Sequence, residues 1–90
     1  MNRSDILKEA GELISTERAK QYGDARENFD RIATLWAAYL GVDVDAVDVA
    51  VMMNLLKCSR LAYQRKDDSF IDAAGYMALA AELADCSEGD

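Results

Sequence analysis

Apolar residues recur at three- and four-residue intervals along most of the chain, the period of an amphipathic helix, and four such segments are separated by short polar breaks. The first spans about residues 4–21, with Ser4 as N-cap, Asp5 in the first turn and Ile6, Ala10, Leu13 and Ile14 along one stripe; Gly23 ends it. Asp24 and Glu27 have capping-box spacing ahead of a second helix at 25–40, where Phe29, Ile32, Ala33, Trp36, Tyr39 and Leu40 follow at helical intervals and Gly41 supplies the stop. Asp45 and Asp48 repeat that signature before a third helix at 46–65, apolar on nearly every side from Val47 to Tyr63. Asp68 or Ser69 caps a fourth at 69–85, and the tail after it frays.

Short connections favour antiparallel neighbours, so the expected fold is all-α: a compact four-helix arrangement of helical hairpins in one domain, residues 1–90. Ala73, Ala74, Gly75, Ala78, Ala80, Ala81 and Ala84 make the fourth helix a small-residue surface on which another helix axis can approach closely. The last two helices carry more apolar surface than a 90-residue monomer can cover. The arrangement is therefore expected to be completed by oligomerisation, with a homodimer the simplest closed form.

Composition narrows the function. The chain has no histidine, which excludes Ser-His-Asp and Cys-His catalysis and every His-ligated metal site. It has no proline and five glycines, consistent with long helices. Seventeen acidic residues against ten basic ones give −7, which disfavours general binding to nucleic acid or anionic lipid. No apolar run has the length of a signal peptide core or membrane span, so a cytoplasmic protein without membrane attachment is expected. Cys58 and Cys86 match no zinc or redox spacing and read as reduced thiols.

Three groups of polar residues stand out from this framework. Around the first turn lie Arg18, Tyr22, Asp24, Glu27, Asn28 and Asp30; Glu27 and Asp30, three apart on a helix, have the spacing to share a divalent cation, or else serve capping and solvation. On the third helix, Asn54, Lys57, Arg60 and Gln64 form a narrow polar strip on an apolar cylinder. Its cations must meet solvent, an anionic ligand such as phosphate, or carboxylates such as Asp68 or Asp72. On the fourth helix, Asp72 is embedded in an apolar stripe with Gly75 and Tyr76. Gly75 costs about 1 kcal/mol there relative to alanine and so marks close packing or close approach of a ligand, while Tyr76 is a core aromatic or a stacking platform for a base.

The succession Arg18-x-x-x-Tyr22-Gly23-Asp24, Glu27-Asn28-Phe29-x-Arg31-Ile32-Ala33, Val49-Ala50-x-Met52-Met53-x-Leu55-Leu56-Lys57-x-x-Arg60-Leu61 and Asp68-Ser69-x-Ile71-Asp72-x-Ala74-Gly75-Tyr76 resembles a small phage-encoded helical domain of unknown function, over roughly residues 18–80. More distantly, the pattern is similar to phage domains associated with nucleotide modification and to the MazG-like all-α nucleotide pyrophosphohydrolases. The latter resemblance implies Mg²⁺ held by Glu27, Asp30 and Asp72, with Glu27 and Asp72 as the catalytic acids. It departs from the MazG-like pattern in lacking the Glu-Glu-x-x-Glu run and in having Ser69 three before Asp72.

Three functions follow as expectations. One is a nucleotide binder, with Arg18, Lys57 and Arg60 on phosphates, Tyr22 or Tyr76 on the base, and Asn28 and Asp68 as further ligand contacts; with Mg²⁺ it becomes a pyrophosphohydrolase. The second is a non-catalytic sponge that sequesters a host defence nucleotide messenger, for which cations and a stacking surface suffice. The third is an acidic protein that inhibits a host factor through its surface.

Overall fold

The computed structural model describes residues 1–15 and 25–84, which form four α-helices; no strand occurs among the described residues. These are α1 (Arg3–Ser15), α2 (Ala25–Leu40), α3 (Ala46–Leu61) and α4 (Asp67–Ala84). The all-α expectation is met in these four helices, and their boundaries differ from the sequence reading in instructive ways.

Helix α1 is capped by Asn2, not Ser4. The Asn2 side-chain oxygen accepts from the Asp5 backbone N–H at 2.9 Å, and the Asn2 N–H donates to the Asp5 carboxylate at 3.3 Å. Asn and Asp satisfy the orphan N–H groups of a first turn as well as Ser does, so the pair displaces the cap by two residues. The expected continuation to residue 21 and the Gly23 and Asp24 signals lie outside the described residues. Helix α2 stops where expected: Gly41 adopts φ +73°, the left-handed region that a residue with a Cβ enters at a cost, and its N–H closes the last turn on the Ala37 carbonyl at 2.8 Å.

The capping box of α3 is present in both halves, the Asp45 carboxylate accepting from the Asp48 N–H at 2.8 Å and Asp48 accepting from the Asp45 N–H at 3.0 Å. Helix α3 ends at Leu61, not Arg65. The backbone tightens there, with the Tyr63 and Gln64 N–H groups both donating to the Arg60 carbonyl. Helix α4 starts at Asp67, two residues earlier than the capping signal suggested, because both Asp67 and Asp68 sit in its first turn. Their negative charge is favourable beside the helix's positive end.

Helix α4 is the hub: α3 packs along it most extensively, α1 covers another side, and α2 lies against α3. The core joins Phe29 and Ala33 of α2, Ala46, Val49 and Ala50 of α3, and Ala80 and Leu83 of α4, with Val49 wholly buried. Alanines at the crossing let helix backbones approach, so little side-chain volume is needed between them. Gly75 lies against α1: a Cβ there would stand 3.3 Å from the Ile14 side chain and 4.0 Å from the Ala10 carbonyl. Packing against α1 therefore accounts for a glycine within a helix.

Candidate functional site

The polar strip of α3 and the embedded carboxylate of α4 meet at the contact between these two helices. The Lys57 ammonium lies 3.0 Å from an Asp72 carboxylate oxygen, and the two side chains retain 16% and 29% of their exposure. One turn earlier on α3, the Asn54 amide donates to the Ala73 carbonyl at 2.8 Å across the same helix contact. The Cys58 thiol, four residues on, lies 3.6 Å from the Asn54 amide oxygen.

The helical period explains this convergence. Asn54 and Lys57 are three apart on α3, so they share a face, and that face meets α4 where Asp72 and Ala73 stand side by side. The amide and the ion pair add directional polar links to the contact of α3 with α4, which fix the offset of one helix along the other. Among the described residues no buried side-chain polar atom lacks a hydrogen-bond partner.

The remaining expected site residues are distributed elsewhere. Arg60 sits in the last turn of α3, exposed and outside the ion pair, while Asp68 is exposed in the first turn of α4. Tyr76 is half-buried and packs against the hydrophobic core. Asn28 is half-buried on α2, and Glu27 and Asp30 are exposed on that helix. Asp30 is 3.9 Å from Arg26, an exposed pair one turn apart. Arg18 and Tyr22 lie outside the described residues.

Among the described residues no group of three or more acidic or cysteine side chains gathers in a metal-holding arrangement. The trio Glu27, Asp30 and Asp72 is thus not assembled as one cluster. Two of them ride on α2, whereas Asp72 is turned to the Lys57 ammonium of α3. Sequence reasoning also missed Arg26, whose guanidinium donates to the Leu83 carbonyl near the end of α4 at 2.6 Å. The partners are 57 residues apart, and no local pattern announces such a contact. Asn54 carried a visible signal, an amide on an apolar helix face in phase with Lys57.

Fold and site together define a small all-helical domain with an ion pair and an amide set into its principal helix contact. The chain belongs to the family described as a domain of unknown function, DUF6378, whose model matches residues 5–84. It is 48% identical over 80 residues to the Gene 55 protein of Mycobacterium phage L5, covering 87% of this chain and 51% of that protein. It is 49% identical over 74 residues to the Gene 55 protein of Mycobacterium phage D29, covering 79% and 48% respectively. The chain thus spans about half the length of these phage relatives. No solved structure matches it. No helix among the described residues is long and apolar enough to cross a membrane.

Proposed function

We propose that this chain binds a nucleotide or nucleotide-derived signal in the host cytoplasm, capturing the ligand without hydrolysing it, and that it works as a homo-oligomer. The observation that carries the reading is the Lys57–Asp72 pair. In a chain of net charge −7, the pair places an ammonium, with 16% of its side chain exposed, at the contact of α3 and α4, where a phosphate takes it by displacing the Asp72 carboxylate. Arg60, three residues further along α3 and exposed, supplies a second cation for a polyphosphate. Tyr76, one turn beyond Asp72 and half-buried against the core, is the proposed stacking ring, and Arg18, Tyr22, Asn28 and Asp68 complete the proposed contacts.

Capture is favoured over hydrolysis because Asp72 already has a cationic partner and no trio of acids is gathered among the described residues. A Mg²⁺-dependent pyrophosphohydrolase of MazG-like type needs enough ligands to fix the ion and orient a water; in that alternative Glu27, Asp30 and Asp72 hold the metal. The test is mass spectrometry of small molecules retained on the natively purified chain, followed by titration with nucleoside triphosphates with and without Mg²⁺. Capture predicts a ligand recovered intact, binding without Mg²⁺, and loss of binding in Lys57→Met. Pyrophosphate release abolished by Asp72→Ala overturns capture in favour of hydrolysis, and absence of any binding at millimolar nucleotide ends both.

A second reading, an inhibitor that binds a host protein, is favoured by one observation: Met52, Leu55 and Leu56 leave an apolar stripe on the outer face of α3.

A further inference from the structure

The outer stripe of α3 runs through Asp48, Met52, the adjacent Leu55 and Leu56, and Ser59; each leucine is three or four residues from both Met52 and Ser59, which puts them all on one side of the helix. All five are exposed, Leu55 at 59% and Leu56 at 46%. The stripe points away from the contacts of α3 with α2 and α4, which use Val49, Ala50, Asn54 and Lys57. Its two ends differ in charge. Asp45 and Asp48 stand at the N-terminal end, and Arg60 at the C-terminal end makes no ion pair with any described residue.

We infer that this face is where two copies of the chain meet, with their α3 helices antiparallel. The proposal takes up the oligomer named above and assigns its surface and register; in it Arg60 faces the acidic end of the second copy instead of a ligand phosphate, so of the proposed phosphate contacts it leaves Lys57 and Arg18. A two-fold axis crossing α3 at the level of Asn54 sets Asp48 of one copy across from Arg60 of the other, and Met52 across from Leu56. The acidic end of each helix then faces the basic end of its partner, and the leucines close between them. A parallel arrangement stacks like charges at both ends. Within one copy the pairing is impossible, because Asp48 and Arg60 are twelve positions apart, about 18 Å along a helix. Only a second copy brings them together.

Sedimentation equilibrium of the full chain, from about 1 to 100 μM around the usual range of weak dimers, tests the inference. A reversible dimer is expected. Leu55→Glu, which places a charge at the centre of the seam, is expected to leave a monomer whose helical circular dichroism matches that of the unaltered chain. Arg60→Glu should raise the dissociation constant about tenfold or more, and Asp48→Arg combined with Arg60→Glu should recover most of that loss. A chain monomeric throughout overturns both the oligomer and its surface. A dimer that Leu55→Glu leaves intact overturns the surface and keeps the oligomer. Failure of the double reversal to recover association overturns the antiparallel register.

Discussion

Replacing Lys57 by methionine tests the centre of the site with little change in volume. Methionine preserves an unbranched apolar stem against α4 but leaves the Asp72 carboxylate, with 29% of its side chain exposed, without its partner at 3.0 Å. Fully exposed pairs contribute about 0.2–1 kcal/mol, and stripping one partner from a fully buried pair costs about 3–5 kcal/mol. At this intermediate burial the loss should be about 1–2 kcal/mol. For a domain of this size that lowers Tm by roughly 4–12 °C. Asp72→Leu alone should cost a similar amount, by leaving the ammonium unpartnered. The double variant removes both charges and should lose clearly less than the sum of the singles, by about 1 kcal/mol. The assay is urea and thermal unfolding followed by circular dichroism at one fixed chain concentration, since any association makes Tm concentration-dependent. If the two single losses add to within about 0.3 kcal/mol in the double variant, the pair contributes no coupling and the reasoning fails.

Two further outcomes follow from the helix contacts. Gly75→Ala gains helix propensity of about 1 kcal/mol, and the methyl presses on the end of the Ile14 side chain, itself only half-buried in the last turns of α1. The variant should stay within about 1 kcal/mol of the original chain, whereas Gly75→Leu should lose about 2 kcal/mol or more by wedging α1 from α4, both read by urea unfolding. Asp45→Ala removes one half of the α3 capping box and should cost about 1 kcal/mol, with Asp45→Asn recovering most of it in the same measurement.

The helices were legible in the sequence because their signals are local. The Asp45–Asp48 box and the Gly41 stop act within one turn, and the apolar period of α2 and α3 needs no knowledge of the neighbours. Where local signals compete, the helix ends shift by a turn or less. Asn2 captured the cap expected at Ser4, and two acids drew the start of α4 forward to Asp67. The strip on α3 was equally visible, but its division was not. Lys57 and Asn54 turned to α4, whereas Arg60 remained in solvent.

Sequence by itself determined the helical class, the order of four helices, the Gly41 stop of α2 and the Asp45 start of α3, and the presence of charged residues on apolar faces. Tertiary structure decided which of those charges neutralise one another, gave Gly75 its role against Ile14, and closed the end of α4 with Arg26 from another helix. The physical reason is range. A cap or a helical stripe is settled by residues within about four positions of each other, while the partner of a side chain across a helix contact depends on the rotation and offset of two packed cylinders. Those are fixed by the fit of Val49, Ala50, Ala80 and their neighbours in the core.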